Sequence, residues 1–314
     1  MKIGIQNTIG KIHAEIGKRV IGKHDIVSEI LIALMCNSHV LLEGVPGTAK
    51  TMITKSMAEI ISCSYGRIQF TPDLLPADIV GTMIYNVKSR QFEVRKGPIF
   101  ANFILADEIN RAPPKTQAAL LECMQESQVT IEGATYHMKP PFIVVATQNP
   151  VDMEGTYALP EAQLDRFIFK SKLSYPLADD EFNMLKMKNM PDVRLNSVLN
   201  LSEISKLIEI KDNVVIDDSI LKYVVELNTK IRQNPDVELG PGPRASIAFL
   251  QGSKARAAID GRNYVIPDDI KALCNPILRH RIRLKPEAQI SGIQVENVIA
   301  KALGSITTPK VAKK

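Results

Sequence analysis

The chain contains the octapeptide Gly44-Val45-Pro46-Gly47-Thr48-Ala49-Lys50-Thr51, which follows the apolar run 40–42 and precedes a helical pattern that opens at Met52. A strand, a turn of small residues and a helix are therefore expected in succession. In such a turn, backbone N–H groups and the helix N-terminus bind phosphate, Lys50 reaches the β- and γ-phosphates, and the hydroxyl of Thr51 binds Mg²⁺. The alternative interpretation is an ordinary glycine-containing turn.

Ala49 is the one departure from the usual G-x-x-x-x-G-K-[ST] pattern, which has glycine at this position. The added methyl group is acceptable if Ala49 is already helical, since alanine is the best helix former. With that conformation the departure leaves the phosphate-binding interpretation intact.

A second apolar run, 103–106, ends in the adjacent acids Asp107 and Glu108. In phosphate-loop NTPases the first such acid holds the Mg²⁺ shell, and the second orients and deprotonates the attacking water. We therefore expect Asp107 to bind magnesium and Glu108 to act as the base. A solvated strand end would also explain an acidic pair, but the phosphate loop upstream favours the catalytic interpretation.

Three further polar residues lie at the boundaries of predicted elements. Asn149 ends the buried-strand run 141–148 and is a candidate for holding the attacking water, although asparagine before proline is also a common turn former. Arg166 is a lone arginine just before the strand-like run 168–170. Arg244 opens a long helical pattern, and a cation in a first helical turn is disfavoured by the helix dipole, which indicates that it binds an anion.

Taken together, these residues resemble the MoxR family of AAA+ ATPases. The resemblance extends from Val20 to about Val298. It is carried by the stretches 44–51, 106–115, 120–133 and 159–167. Ala49 is in keeping with this family, because its phosphate loop often ends in Ala-Lys-Thr.

The resemblance implies a role for each matching residue. Lys50 and Thr51 match the Walker A pair, and the Walker B pair corresponds to Asp107 and Glu108. Asn149 matches the first sensor. ATP and Mg²⁺ are therefore the expected ligands.

Two arginines and an apolar segment also match the family. Arg166 matches the arginine finger, which is offered to the nucleotide of the neighbouring subunit. Arg244 matches the second sensor at the start of a lid helix, acting either in its own subunit or across the interface. Val20 and Ile21 resemble the apolar segment that packs against adenine, although a Val-Ile-Gly turn between two helices would show the same pattern.

The periodicity predicts an α/β core followed by a helical part. Strand-like runs occur at 39–43, 67–71, 103–107, 142–147 and 167–173, and helical patterns between them at 24–37, 50–62 and 115–126. This alternation is typical of a parallel sheet flanked by helices. After Pro176 only helical patterns follow, at 179–190, 202–210, 217–234, 244–260, 267–275 and 292–303. We expect an AAA+ phosphate-loop core over residues 1–178 and a smaller all-α lid subdomain over residues 179–314.

Two β-hairpins are expected to interrupt the core, at residues 83–95 and 128–138. In the resembling family and its helicase and chelatase relatives, hairpins at these places point toward a central pore or a bound partner. The alternative is that the hairpins only cover edges of the sheet.

Length and composition allow a full hydrophobic core. A chain of 314 residues buries about three quarters of its extended surface. The cysteines and histidines are scattered, so neither a metal cluster nor a disulfide scaffold is indicated. Isoleucines recur at helical spacing from Ile5 to Ile16, which predicts an amphipathic N-terminal helix. With no signal peptide or membrane span in the sequence, we expect a cytoplasmic protein.

Positive charge is concentrated in the second half of the chain, where residues 183–314 contain 21 Lys and Arg against 14 Asp and Glu. A basic half raises nucleic acid as a partner. However, Arg279, Arg281, Arg283 and Lys285 alternate with aliphatic rather than aromatic residues. That pattern suits a helical face that meets a neighbouring subunit's acids or nucleotide at least as well, and no stacking platform is visible, so nucleic acid ranks second.

The expected function is ATP hydrolysis coupled to shape change in a homo-oligomeric ring, and we expect the ring to have six subunits. The ring is expected to remodel or mature partner proteins in a chaperone-like way. Proteins of the resembling family are commonly paired with partners that contain von Willebrand factor A domains. The competing functions are a nucleic-acid translocase, a chelatase-type motor subunit and a nucleotide-gated module that rarely hydrolyses. Glu108, Asn149 and Arg166 argue against the last of these.

Overall fold

A computed structural model describes residues 2–45, 47–150, 155–189, 191 and 193–309 of the chain. The strands are β1 (Val40–Gly44), β2 (Tyr65–Gln69), β3 (Gly81–Asn86), β4 (Gln91–Lys96), β5 (Phe103–Asp107), β6 (Gln128–Ile131), β7 (Ala134–His137), β8 (Ile143–Gln148), β9 (Phe169–Leu173), β10 (Val237–Leu239) and β11 (Arg283–Leu284). The helices are α1 (Lys2–Ile16), α2 (His24–Met35), α3 (Lys50–Ile60), α4 (Pro76–Val80), α5 (Pro114–Glu126), α6 (Glu161–Leu164), α7 (Ala178–Lys188), α8 (Leu201–Asp212), α9 (Asp218–Arg232), α10 (Pro243–Ile259), α11 (Pro267–Leu278), α12 (Pro286–Ile290) and α13 (Val295–Ser305).

Five strands form a parallel sheet in the order β2-β5-β8-β1-β9. β5 is buried along its whole length and β8 along all but its last residue, as expected for central strands covered on both faces. Val40 of β1 pairs with Val145 on one side and with Phe169 on the other. Each predicted core strand is present, and the carboxyl ends of all five lie at one edge of the sheet.

The two faces of the sheet are covered by different helices. Along β1, Val40 and Leu42 pack into a core shared with α1, α2, α3 and the helical part, whereas Leu41 points to the other face. That second core contains Leu120 and Leu121 of α5. Because successive strand residues alternate in direction, one apolar run fills both cores.

The predicted N-terminal helix is α1, and its residues Ile5, Ile9, Ile12 and Ile16 are buried in the larger core. Its opposite side is polar and exposed, so α1 is amphipathic as expected. Within the described ranges, none of the helices is long and apolar enough to cross a bilayer.

Both predicted hairpins are present, as β3–β4 and β6–β7. In β3–β4, Tyr85 lies opposite Phe92 and their rings meet edge to face with centroids 5.3 Å apart. Both aromatic side chains are more than half exposed to solvent. The hairpin therefore presents an apolar surface that its own chain does not cover.

The expectation of helices only after Pro176 is wrong in one respect. The predicted helices are found as α7 to α11 and α13, but β10 and β11 also form an antiparallel ribbon, in which Val237 pairs with Leu284. Strands of two or three residues are too short to show an alternating pattern. The prediction that Arg279, Arg281, Arg283 and Lys285 lie on one helical face is also wrong. The helix α11 ends at Leu278, and Arg283 belongs to the ribbon.

Candidate active site

The carboxyl ends of β1, β5 and β8 bring the predicted phosphate loop, acidic pair and asparagine to one edge of the sheet. The loop between Gly44, the last residue of β1, and Lys50, the first of α3, follows that strand; Asp107 is the last residue of β5, and Asn149 comes directly after β8. Ligands of open α/β sheets bind at this edge, outside the carboxyl ends of the strands.

The loop is held by hydrogen bonds from its own side chains. The Thr48 hydroxyl donates to the Val45 carbonyl oxygen at 2.9 Å, and Lys50 Nζ donates to the carbonyl oxygens of Gly44 and, at 3.4 Å, Val45. α3 begins at Lys50, so the N–H groups of its first turn have no helical partner and face the loop. Pro46 lies outside the described residues.

Ala49 is not helical, so the condition under which its methyl group would be acceptable is not met. Its φ of 65° and ψ of 17° lie in the left-handed region, and its carbonyl oxygen accepts the first helical bond from Ile53 at 2.9 Å. The chain must turn here between the loop and α3, and this turn imposes a backbone conformation that suits glycine. For alanine it costs about 1 kcal/mol.

The carboxylate of Asp107 is buried, and each of its two oxygens has a polar partner. Its Oδ2 lies 3.4 Å from the Thr51 hydroxyl and 2.7 Å from Nη2 of Arg67, and its Oδ1 accepts from the Thr147 hydroxyl at 2.7 Å. A hydroxyl and a carboxylate facing each other are the hard oxygen donors that Mg²⁺ prefers. Thr51 and Asp107 therefore fit a magnesium ion.

The backbone turns at Glu108, directly after β5, where φ is 56°. The backbone N–H of Glu108 donates to the Thr147 hydroxyl at 2.8 Å, and its carboxylate accepts from Arg111 at 3.0 Å. Non-glycine residues in this conformation are concentrated at functional sites. Beside it, the Asn149 carbonyl oxygen accepts a bond from the buried Asn110 side chain at 3.4 Å.

Arg166 lies at the opposite edge of the sheet from the phosphate loop. It precedes β9, which runs parallel to β1, whereas Lys50 follows the end of β1. Five residues of strand separate the two edges by roughly 16 Å. Arg166 donates from Nη1 to the Leu121 carbonyl oxygen at 2.6 Å.

Arg244 lies in the same cleft as Arg166. The cleft has a volume of about 240 Å³, and Asp165 and Arg281 also line it. Arg244 is 51% exposed, and its Nη1 lies 3.5 Å from Oδ2 of Asp165. The structure therefore brings the two predicted arginines together, but away from the phosphate loop of their own chain.

The predicted adenine segment lies beside a second, larger cleft. Val20 is buried in the larger core and Ile21 is half-buried. The cleft has a volume of about 640 Å³, and the described residues that line it include Thr51, Lys18 and Arg19 but neither Val20 nor Ile21. The adenine contact expected of this pair stays a prediction.

Comparison with known proteins gives the family. The model for the ATPase family associated with various cellular activities (AAA) matches residues 39–169, and the model for the AAA lid domain matches residues 229–302. The chain is 48% identical over 303 residues to the uncharacterized protein YeaC of Bacillus subtilis, covering 96% of this chain and 95% of YeaC. It is 39% identical over 314 residues to Chaperone MoxR1 of Mycobacterium tuberculosis, covering 97% and 83% of the two chains. This chain belongs to the MoxR family of AAA+ ATPases.

The fold of this MoxR-family ATPase is shared by a crystal structure of a protein from Cytophaga hutchinsonii. The two have a TM-score of 0.92 at 41% identity, over 98% of this chain and 97% of that chain. The resemblance seen in the sequence and the α/β core with a helical lid are thus confirmed.

Sequence reasoning missed two residues of the MoxR-family site, Thr147 and Arg67. Thr147 is a buried polar residue within the apolar strand β8, and this was a usable signal because buried hydroxyl groups need partners. Arg67 gave no signal, since it is one of several polar residues on β2. Only the pairing of β2 with β5 brings it to Asp107.

The charge of Lys50 depends on the same acids. Partial burial lowers the pKa of its ammonium group, and the negative charges of Asp107 and Glu108 oppose that shift. The acidic pair therefore helps to keep the lysine charged, as phosphate binding requires.

Proposed function

We propose that this ATPase hydrolyses ATP with magnesium in a ring whose catalytic sites lie between subunits. Lys50, Thr51, Asp107 and Glu108 of one subunit would supply one side of each site. Arg166 and Arg244 of the next subunit would supply the other. The observation that carries the proposal is that the two arginines share a cleft at the sheet edge opposite Lys50.

On the loop side, each residue has a distinct task. The backbone N–H groups of residues 47–51 and the Lys50 ammonium bind the phosphates, and Thr51 and Asp107 would hold the magnesium ion. When bound, that ion neutralises charge on the β- and γ-phosphate oxygens. Glu108 accepts a proton from the attacking water at its carboxylate, and Asn149 orients that water.

On the arginine side, the task is to stabilise charge. Phosphoryl transfer passes through a transition state with negative charge spread over the γ-phosphate oxygens, and an arginine supplied from outside is worth about 10³ to 10⁵ in rate. The exposure of Arg244 and its position beside Arg166 favour action across the interface for both residues.

The arrangement also supports the division into a core over residues 1–178 and a lid over 179–314. Arg244 belongs to α10 in the lid, whereas Arg166 belongs to the core. A nucleotide bound by both arginines would therefore contact the core and the lid of the neighbouring subunit. We propose that this contact couples nucleotide state to the shape of the ring.

The work done by the ring is proposed to be remodelling or maturation of partner proteins in the cytoplasm. A relative named as a chaperone and the exposed apolar pair Tyr85 and Phe92 support this role. Six subunits and clients with von Willebrand factor A domains remain predictions. A nucleic-acid role has less support than the sequence suggested, because Arg281 is buried and Arg283 binds Glu161 and Glu238.

The proposal is tested by mixing two inactive variants. Lys50→Ala chains have no working phosphate loop but an intact Arg166, and Arg166→Ala chains have the reverse. Each variant alone should be nearly inactive, whereas a random equal mixture should regain roughly a quarter of wild-type turnover, because about one interface in four joins two intact halves. No recovery, or full turnover by Arg166→Ala alone, would show that the site does not lie between subunits.

A further inference from the structure

The side chain of Arg281 is buried where the lid meets the core. It is 4% exposed and lies three residues beyond the end of α11. Burying a guanidinium group is costly unless charge and hydrogen bonds are both satisfied. The partners of this group therefore indicate what it is for.

Most of the partners of Arg281 belong to the segment 165–168, which carries Arg166. Nε donates to Oδ1 of Asp165 at 2.7 Å, Nη2 donates to the Phe167 carbonyl oxygen at 2.8 Å, and Nη1 donates to the Ile168 carbonyl oxygen at 3.1 Å. A further bond from Nη2 reaches the Asp165 carbonyl oxygen at 3.2 Å. One lid side chain thus binds the backbone on both sides of Arg166.

The neighbouring residue His280 adds to this attachment. Its ring is buried, and Nε2 donates to the Phe167 carbonyl oxygen at 3.0 Å. Burial and the adjacent Arg281 charge lower the pKa of His280 well below its usual value, so the ring is neutral near pH 7. The contact is therefore an ordinary hydrogen bond that adds no second buried charge.

Asp165 links Arg281 to Arg244. Oδ1 binds the buried Arg281, while Oδ2 lies 3.5 Å from the exposed Arg244 guanidinium. Since the first pair is short and buried and the second is long and exposed, Arg281 fixes the carboxylate and Arg244 is free to exchange it for another anion.

We infer that Arg281 is the positioning residue for both arginines, placing Arg166 through the 165–168 backbone and Arg244 through Asp165. The inference rests on the proposed function, because positioning matters only if the two arginines act on a neighbouring nucleotide. A lysine cannot replace this residue, since an ammonium group lacks the planar fork that reaches the carboxylate and carbonyl oxygens together.

Arg281→Lys tests the inference while retaining the charge. We expect ATP affinity at the variant's own phosphate loop within about threefold of wild type, and kcat lower by about 10- to 100-fold with little change in KM, because misplacement by about 1 Å costs this much. Arg283→Lys is the matched control. It lies two residues away and also bridges core and lid, to Glu161 and Glu238, but it is 46% exposed and should keep wild-type kcat.

Mixing variant chains distinguishes a positioning role of Arg281 from a merely structural one. Arg281→Lys chains mixed with Lys50→Ala chains should regain turnover, because the variant keeps its phosphate loop and borrows intact arginines from its neighbour. Mixed with Arg166→Ala chains, they should show no gain in turnover, since both partners are impaired in the same half of the site. Asp165→Asn, which removes the charge with little change in shape, should repeat both results and serves as the test if Arg281→Lys does not fold.

The outcomes are distinct. If Arg166→Ala is rescued by Lys50→Ala chains but neither Arg281→Lys nor Asp165→Asn is, the residues only fasten the lid and the inference is overturned. Wild-type kcat in Arg281→Lys also overturns it. If even Arg166→Ala is not rescued, the site does not lie between subunits, and the proposed function fails together with the inference.

Discussion

Lys50 and Arg166 lie at opposite edges of one parallel sheet, the first after β1 and the second before its hydrogen-bonded neighbour β9. Parallel strands fix this separation, because the ends of β1 and the start of β9 cannot approach each other without breaking the sheet. An ATPase that needs both residues must therefore assemble. On the Lys50 edge, by contrast, Asp107 and Glu108 at the end of β5 lie close enough to act within one chain.

Glu108→Gln should retain ATP without turning it over. The amide keeps the size of the carboxylate and can still bond Arg111, but it cannot take a proton from water, so kcat should fall by about 10² to 10⁴. Nucleotide affinity and phosphate release measure the two effects.

Glu132→Gln is the matched control for this variant, because Glu132 is another glutamate with positive φ but lies at the turn of the β6–β7 hairpin. It should keep wild-type turnover. Substantial hydrolysis by Glu108→Gln would show that a different group takes the proton.

Arg67→Ala should strengthen magnesium binding. The Arg67 guanidinium shares Oδ2 of Asp107 with the Thr51 hydroxyl, at 2.7 Å and 3.4 Å. Removing that cation leaves more negative potential for a divalent ion, and an exposed charge of this kind is worth about 1 kcal/mol or somewhat less, which is up to about fivefold in affinity. Titration of ATPase activity with Mg²⁺ measures the change.

Arg111→Ala is the comparison for Arg67, because it pairs with Glu108 rather than Asp107. In Arg111→Ala, the Mg²⁺ concentration that gives half-maximal ATPase activity should change less than in Arg67→Ala. Asp107 would not hold the ion if the Mg²⁺ concentration for half-maximal activity fell further in Arg111→Ala than in Arg67→Ala. The same would follow if Arg67→Ala bound magnesium more weakly than wild type.

Local sequence was enough to predict the sheet and one edge of the site. The loop 44–51 and the Asp107-Glu108 pair each lie at the end of an apolar run, so their positions follow from strand patterns alone. The meeting of Arg166 with Arg244 could not be predicted, because it depends on how the lid packs on the core. Arg281 was misjudged for the same reason, since an arginine in a basic run is normally exposed.

Ala49→Gly should stabilise the phosphate loop slightly. The left-handed conformation of Ala49 costs about 1 kcal/mol that glycine avoids, and the greater freedom of glycine in the unfolded chain offsets part of this gain. We expect a free energy of unfolding higher by up to about 0.5 kcal/mol, with ATP affinity unchanged.

Gly47→Ala makes the opposite change in the same loop. Gly47 has a φ of 82°, and an added Cβ would meet no atom within 4 Å, so any effect is purely conformational. It should lower the free energy of unfolding by about 1 kcal/mol. Denaturant titration measures both variants, and destabilisation by Ala49→Gly equal to that of Gly47→Ala would contradict the strained conformation.

Arg262→Ala should destabilise the lid strongly. Arg262 binds both oxygens of the buried Asp269, at 2.6 and 2.8 Å. Its loss would leave that carboxylate with the Ile266 backbone N–H at 2.9 Å and, as the remaining cation, Arg256 at 3.7 Å. Breaking a buried pair costs about 3 to 5 kcal/mol. Lys271→Ala removes the exposed pair with Asp268 and should cost less than about 0.5 kcal/mol, which thermal unfolding distinguishes.

Glu29 makes stability depend on pH. Burial raises the pKa of its carboxyl group from 4.5 to about 7, while the Ser171 hydroxyl, Arg279 and Arg256 oppose the shift and Asp25 adds to it. Between pH 4.5 and 7 the folded chain holds a proton that the unfolded chain has released, so this group's contribution to stability falls as pH rises through that range. Glu29→Gln has no carboxyl group to titrate at this position. The free energy of unfolding of Glu29→Gln minus that of wild type should therefore rise by up to about 3 kcal/mol between pH 4.5 and 7.5. Chemical denaturation at a series of pH values measures this difference, and parallel profiles for the two proteins would show that Glu29 is ionised in the folded state.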